Sequence, residues 1–187
     1  MLGETPPRPG LSLIEPETAT GEAASLLAAT QKALGVTPNM TKAMANSPAA
    51  LKGYLDFSGA LRDGSLPTAV RERIALLVAQ ENSCDYCLSA HTYIATKLAG
   101  LTEAEATSAR KGQAGDPQAA GALTFAAALV RNHGTVSDDE LAAARYGGLS
   151  DGQVAEVVAH VALNIFTNYL NKAGRVDIDW PLVRHTG

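Results

Sequence analysis

Aromatic residues and cysteines are scarce in this chain of 187 residues. Aromatics make up 5% of the sequence, with one tryptophan, and there are only two cysteines. The 34 alanines make the apolar content small and helix-favouring. No segment alternates apolar and polar residues as a strand would, and the nearest, 176–183, contains Pro181. These absences exclude a β-sandwich and favour an all-α fold.

An excess of positive charge and a long apolar run are also missing. Lysine and arginine total 15 against 19 acidic residues, and they are scattered singly, so no basic stripe can neutralise a phosphate backbone. The longest uncharged run, Val157 to Asn171, is shorter than the roughly 18 residues that indicate a membrane span. The first residues have neither the basic start nor the apolar block of a secretory signal. We therefore expect a cytoplasmic protein without a nucleic-acid or membrane partner.

The helix start and stop signals along the chain predict seven or eight helices in one compact domain. Prolines 6, 7 and 9 favour an extended N-terminal arm over residues 1–12, leaving residues 13–187 as a single all-helical domain. Start signals and apolar periodicity predict helices over 49–62, 69–80, 84–98 and 117–132. Three capping boxes predict further helix starts at Thr102-x-x-Glu105, Ser137-x-x-Glu140 and Ser150-x-x-Gln153.

The most informative segment holds both cysteines and a histidine. With Ser83 as the expected N-cap, Cys84 lies in the first turn of a helix, followed by Cys87 and His91. At helical spacing Cys87 and His91 fall about 60° and about 20° from Cys84, so all three share one face. Free amides at a helix N-terminus and a nearby histidine lower the pKa of a thiol and favour its reactive thiolate. The two sulfurs are also close enough along the chain to form a disulfide.

Two other interpretations of this segment remain open. Cys84, Cys87 and His91 could be three of four zinc ligands, although no second Cys pair or nearby Cys/His completes a tetrahedral site. They could also be ordinary core residues, because a free cysteine packs as a small hydrophobic side chain. The lack of β-α-β units excludes a thioredoxin fold. A dithiol redox site, in which His91 takes up or passes on a proton, is the interpretation that we favour.

The same residues resemble the alkylhydroperoxidase D and carboxymuconolactone decarboxylase family. Its redox-active branch has a glutamate, twelve residues later a C-x-x-C motif, and a histidine four residues after the second cysteine. Glu72, Cys84, Cys87 and His91 match all four positions. The run 71–91 and the segment 161–171 resemble the peroxidase-related subgroup of this family.

The resemblance implies an all-helical protein that assembles as trimers or hexamers and reduces a small hydroperoxide. Cys87 would be the peroxidatic thiolate, Cys84 the proton donor and resolving thiol, and His91 and Glu72 the proton relay. A dithiol or a protein would be the reductant, and neither a cofactor nor a metal would be required. From the residues alone, Glu72 would be a solvated charge beside Arg71 or Arg73.

Tyr86 departs from the family pattern. The best-known peroxidases of the family have a histidine just before the second cysteine, so the reductant or the rate is expected to differ here. The decarboxylase branch generally lacks the cysteine pair, and its presence here argues against lactone decarboxylation. Two alternatives to the peroxidase are kept: a cofactor-independent decarboxylase that uses His91 and Glu72 as acid and base, and a non-enzymatic, metal-binding helical oligomer.

A second polar feature is a stripe on the last predicted helix. His160, Asn164, Asn168 and Asn171 fall within an arc of about 80° on a helix whose other faces are apolar. Buried amides are costly unless they are paired. The stripe is therefore interpreted as a solvent-facing side, a subunit interface, or a wall of the cysteine pocket.

Three other ring side chains are given no part in the site. His133 stands beside Gly134 at a predicted helix end, and His185 lies in the tail, so both are interpreted as incidental. Trp180, followed by Pro181, is predicted to be a packing anchor.

Overall fold

The computed structural model describes residues 10–186, which contain nine α-helices and no β-strand. The helices are α1 (Gly21–Leu34), α2 (Asn39–Met44), α3 (Pro48–Arg62), α4 (Thr68–Glu81), α5 (Asp85–Lys97), α6 (Glu103–Arg110), α7 (Pro117–Arg131), α8 (Asp138–Tyr146) and α9 (Asp151–Ala173). The predicted all-α fold is confirmed. The count exceeds the expected seven or eight because α2 has only six residues and no side-chain cap. Residues 1–9, most of the predicted arm, lie outside the described range.

Side-chain caps set most of the helix starts. All three predicted capping boxes form, at the N-termini of α6, α8 and α9. The side chains of Ser47 and Asp116 cap α3 and α7, and each is followed by a proline in the first turn. These residues satisfy amides that would otherwise be left unpaired, so the starts of five helices are fixed by local sequence.

Helix α4 runs through the centre of the main core. Residues 74–79 are all buried, and the helix packs against α5, α6, α7 and α9. Much of the surrounding core consists of alanine, for example Ala122 and Ala126 on α7. Small side chains let helices approach closely, which gives a packed interior with few aromatics. Since α4 carries Glu72 and leads directly into α5, the core fixes the position of both helices.

Helix α9 is the longest element and joins two clusters of apolar residues. Its Val157 and Val161 belong to the main core, and Leu170 packs against a smaller cluster built by α1, α2 and α3 around Leu27 and Leu51. No helix within residues 10–186 is both long and apolar enough to cross a membrane.

Residues 176–186, here termed the C-terminal strap, have no regular structure and cross the start of α5. The backbone amide of Val183 donates to Ser89 Oγ at 2.9 Å, and Gln80 Nε2 donates to the carbonyl of Thr186 at 2.7 Å. Asp85, the first residue of α5, accepts from the amide and the ring of His185. The strap therefore covers the outer side of the segment that carries the cysteines.

Candidate active site

Cys84 is the N-cap of α5 and not a residue of its first turn. The prediction that Ser83 is the cap is wrong, because Ser83 adopts a left-handed conformation (φ 51°) and its amide bonds back to Gln80 at the end of α4. Cys84 is extended, and its Sγ accepts the backbone N–H of Cys87 at 3.3 Å. The sulfur thus occupies the position of an ordinary oxygen cap, where free amides and the helix dipole favour a negative charge.

Cys87 is held from the opposite side by α9. Asn171 Nδ2 donates to Cys87 Sγ at 3.3 Å, and only 3% of Cys87 is exposed. Asn168 lies beside it and accepts a hydrogen bond from Asn82 Nδ2 at 3.0 Å, while Lys172 Nζ donates to the carbonyl of Asn82 at 2.6 Å. Three residues of α9 therefore fix the turn between α4 and α5 and the second sulfur of the pair.

The two thiols have pKa values that move in opposite directions. The pKa of Cys84 is lowered by a hydrogen bond from the Cys87 side chain, by the Cys87 amide and by the nearby charges of His91 and Lys172, although burial opposes this. The pKa of Cys87 is raised, first by burial and then by the adjacent Cys84 sulfur. One negative charge is thus favoured on the pair, on the capping sulfur, and a second is strongly disfavoured.

His91 and Glu72 form a hydrogen-bonded pair between α5 and α4. His91 Nδ1 lies 2.8 Å from Glu72 Oε2, with both side chains largely buried. Burial lowers the pKa of His91, but the Glu72 carboxylate raises it by more than burial lowers it. The pKa of His91 therefore lies above the ordinary value of 6.5. Glu72 therefore does not pair with Arg71 or Arg73, the partners that the residues alone suggested. The arrangement favours a protonated imidazole beside a carboxylate.

A cavity of about 390 Å³ lies between α3, α4, α5 and α9. Cys87, His91 and Glu72 all line it, whereas Cys84 does not. The helical spacing in the sequence therefore correctly places Cys87 and His91 together. It also predicts Cys84 on the same face, but Cys84 does not reach the cavity. Most of the remaining wall is apolar, which suits an organic ligand better than water.

The polar stripe of α9 faces inward. His160, Asn164, Asn168 and Asn171 are each at most 6% exposed, and three of the four line the cavity, with Asn168 directly behind it. The solvent-facing interpretation is therefore wrong, and the stripe is a wall of the cysteine pocket. Neutral amides in place of Lys and Glu were the signal for this in the sequence.

Tyr86 lines the cavity and also has a structural role. Its hydroxyl accepts from the amide of Met40 at 3.1 Å and from Trp180 Nε1 at 3.4 Å, and its pKa is raised mainly by burial. Trp180 itself packs on Tyr93 with ring centroids 5.5 Å apart. It packs against the core, and it also lines the cavity, so it is more than the anchor that the sequence suggested.

Other contributors to the site could not be found from sequence. His185, interpreted as incidental, bonds to Asp85 between the two cysteines. Tyr54 and Arg71 line the cavity from helices α3 and α4. Within residues 10–186 no group of three or more His, Cys, Asp or Glu side chains is arranged to hold a metal ion.

Comparison with known proteins agrees with this geometry. Residues 48–131, from the start of α3 to the end of α7, match the model of the carboxymuconolactone decarboxylase family. Over this range the chain is similar to that family. The predicted resemblance is confirmed, and the matched range contains Glu72, both cysteines and His91. No curated protein sequence matches the chain.

Solved structures of the same fold cover nearly the whole chain. One is the alkylhydroperoxidase AhpD core, an uncharacterized peroxidase-related protein from Ralstonia eutropha JMP134, with 21% identity, 90% of each chain covered and a TM-score of 0.79. A second, an uncharacterized peroxidase-related protein from Silicibacter sp. TM1040, has 23% identity, covers 94% of this chain and 95% of that one, and has a TM-score of 0.76.

A third relative is a cysteine-to-alanine variant of the debrominase Bmp8 in complex with 2,3,4-tribromopyrrole. It has 20% identity, covers 90% of this chain and 91% of that one, and has a TM-score of 0.76. At these identities the structures establish the shared all-helical fold. Proteins of different names thus share this fold, so the chemistry of this chain must be argued from its own site.

Proposed function

We propose that this protein is a dithiol peroxidase that reduces organic hydroperoxides through Cys84 and Cys87. The observation that carries the proposal is the placement of Cys87 on the cavity wall, in hydrogen-bond contact with Asn171 and on one helix face with His91, whose ring is paired with Glu72. A nucleophile, a proton donor and an orienting carboxylate thus meet at one cavity.

The first step oxidises Cys87. Its thiol proton passes to the Cys84 sulfur, the base of the pair, and the Cys87 thiolate attacks the terminal oxygen of the hydroperoxide. The O–O bond breaks, the terminal oxygen stays on sulfur as a sulfenic acid, and the alkoxide takes a proton from the imidazolium of His91 to leave as an alcohol. Glu72 keeps His91 protonated before the step and orients the ring.

The second step closes the disulfide. The Cys84 sulfur attacks the Cys87 sulfur, the S–O bond breaks, and the oxygen leaves as water with the proton that Cys84 had received. The pair has then given two electrons to the peroxide. An external dithiol, free or on a protein, reduces the disulfide by exchange; one of its two protons restores the Cys87 thiol, the other returns to His91, and Cys84 is left as the thiolate. A reducing compartment such as the cytoplasm supplies reductants of that class.

We also propose that the protein is a homo-oligomer, a trimer or a hexamer. The outward side of α9 carries an apolar row of exposed residues, here termed the outer stripe: Val158, Ala162, Phe166 and Tyr169. It contains no charged residue and lies opposite the polar stripe on the helix. An uninterrupted apolar face on the longest helix is typical of a surface that a second subunit covers.

Free-thiol titration before and after one equivalent of cumene hydroperoxide tests the peroxidase. We expect the reduced wild-type protein to lose both thiols. Cys87→Ser should be inert. Cys84→Ser should react more slowly, because it lacks the sulfur that takes the Cys87 proton, and should stop at a sulfenic acid that a dimedone probe captures. Serine is itself a good N-cap, so Cys84→Ser keeps the start of α5 and serves as the matched variant.

Survival of both wild-type thiols would contradict the peroxidase. Attention would then move to the acid–base pair, because the 2.8 Å contact between His91 and Glu72 also suits proton transfer in a decarboxylase. In that case lactone turnover should persist after both cysteines are replaced by serine and should disappear in Glu72→Gln.

A further inference from the structure

The cavity has a second polar end, away from the cysteines, at His160. This histidine is 6% exposed and lines the cavity, and its Nε2 atom is buried without a hydrogen-bond partner. His160 and Asn171 are eleven residues apart on α9, which is about 16 Å along the helix axis. A buried polar atom without a partner is costly unless a ligand supplies one.

Two arginines line the same end of the cavity. Arg71 donates to the carbonyls of Leu61 and Arg62 and to Thr68 Oγ1, which are all uncharged acceptors. Arg62 is exposed at the edge of the cavity. Neither guanidinium has a carboxylate within ion-pair distance among residues 10–186. The positive charge of this end therefore has no anionic partner within the cavity wall.

The nearby acidic side chains do not fill that role. Glu72 is paired with His91. Glu156 precedes His160 by one turn but does not line the cavity, and its oxygens accept from the amides of Ser65 and Leu66 and from Ser65 Oγ. Burial, followed by the charge of Arg71, lowers the pKa of His160, although the charges of Glu156 and Glu72 oppose this.

We infer that the cavity binds an organic acid whose carboxylate lies between His160, Arg71 and Arg62. This inference rests on the proposed peroxidase function. The substrate class is then a hydroperoxide that carries a carboxylate at the end remote from the peroxide. The peroxide then lies at Cys87, the carboxylate accepts from His160 Nε2 and the guanidinium groups, and the apolar body contacts Ile94 and Leu163.

Binding of a non-reactive acid tests the carboxylate site separately from the redox chemistry. Octanoate and octanamide have the same chain, and only octanoate is an anion. By isothermal titration calorimetry on the reduced protein, we expect octanoate to bind about tenfold more tightly, the size expected for one charge-assisted contact in a partly desolvated site. Equal affinities would overturn the inference, whatever the peroxide assay gives.

Variants assign the preference to the named residues. His160→Gln and Arg62→Gln should each reduce the ratio of octanoate to octanamide affinity, with the larger loss for the buried His160. Lys111→Gln removes an exposed cation that does not line the cavity, and it should leave the ratio unchanged. Arg62 is on the surface, so Arg62→Gln keeps the test decisive if His160→Gln does not fold. An unchanged ratio in Arg62→Gln and in folded His160→Gln would exclude this site.

Turnover of a matched peroxide pair completes the test. Cumene hydroperoxide and its para-carboxylate derivative differ only in the charged group, and kcat/KM should be about tenfold higher for the acid, with most of the difference in KM. A preference for octanoate without turnover of either peroxide would support the carboxylate site and contradict the peroxidase proposal. Turnover of both at equal kcat/KM would support the peroxidase and overturn the substrate class.

Discussion

Helix α9 differs from an ordinary surface helix on both of its faces. Its inner face carries His160, Asn164, Asn168 and Asn171, and its outer face carries the apolar outer stripe. An ordinary surface helix buries its apolar residues and exposes its polar ones. The inner amides are tolerated because they bond to Cys87, to Asn82 and to the helix backbone. The comparison indicates that the reactive site accounts for the polar residues on one face of α9. We propose that a partner subunit accounts for the apolar residues on the other.

Disruption of the outer stripe should have the largest effect. In the double variant Phe166→Asp with Tyr169→Asp, two charges would have to be buried at the subunit contact, which is costly without a partner. We expect the molecular mass by light scattering to fall to that of a smaller assembly or a single subunit. Peroxide turnover per chain should stay within about twofold, since neither side chain lines the cavity.

Tyr146 provides the control for that experiment. It is 97% exposed on α8, and Tyr146→Asp introduces one such negative charge away from the outer stripe. Its mass should equal that of the wild type. A double variant with unchanged mass would show that the outer stripe does not hold the assembly together.

Replacement of Asn171 by leucine should affect chemistry more than stability. The variant removes the N–H donor to Cys87 Sγ, and a hydrogen bond to a charged group contributes about 1.5–3 kcal/mol, so peroxide turnover should fall about tenfold to a hundredfold. Stability should change little, because Asn171 Oδ1 is buried without a partner and leucine removes that penalty. Asn132 is exposed at the end of α7, so Asn132→Leu serves as the control for replacing an asparagine by leucine away from the cavity.

Asn168→Ala should mainly weaken the fold. Asn168 is fully buried and accepts the hydrogen bond of Asn82 across the turn that carries Cys84. The variant leaves Asn82 without its acceptor and creates a small cavity, so the free energy of unfolding should fall by about 1–3 kcal/mol in urea titrations. A change below about 0.5 kcal/mol, the range of ordinary surface substitutions, would contradict the role of Asn168 in fixing the turn.

The smallest expected effect is on the pH dependence of stability. The pKa of His91 is raised in the folded protein, so the stabilisation from its pair with Glu72 is fully present below the unfolded pKa of about 6.5 and is lost as pH rises through the folded value. The difference in unfolding free energy between wild type and His91→Gln should therefore be larger near pH 6 than near pH 9. Glu72→Gln should show the same larger loss of unfolding free energy near pH 6. A loss that does not depend on pH would contradict a stabilising pair between His91 and Glu72.

Local sequence was sufficient for much of the fold and part of the site. The boxes at Thr102, Ser137 and Ser150 mark helix starts because the cap and its partner are three residues apart. Cys87 and His91 are four residues apart, so the helical period places them on one face and on one wall of the cavity. Cys84 was misplaced by one position, because a serine before it looks like a cap and its left-handed backbone leaves no mark in the sequence.

Contacts between distant segments could not be derived in this way. Glu72 pairs with His91 across two helices, and only the family resemblance placed it in the site. The periodicity of α9 identified the polar stripe but not the direction in which it faces, because a period defines a face and tertiary packing decides which face is inside. Arg71 and Tyr54 reach the cavity from other helices, and no local pattern marks them.

The single tryptophan of the chain gives the cavity its own optical signal. Trp180 lines the cavity beside Tyr93 and donates to the hydroxyl of Tyr86, one of the two residues between the cysteines. Its fluorescence therefore comes from one place only, within reach of both the ligand space and the redox motif. Ligand entry and disulfide formation can thus be followed in real time on the unlabelled protein, with Trp180→Phe as the dark reference.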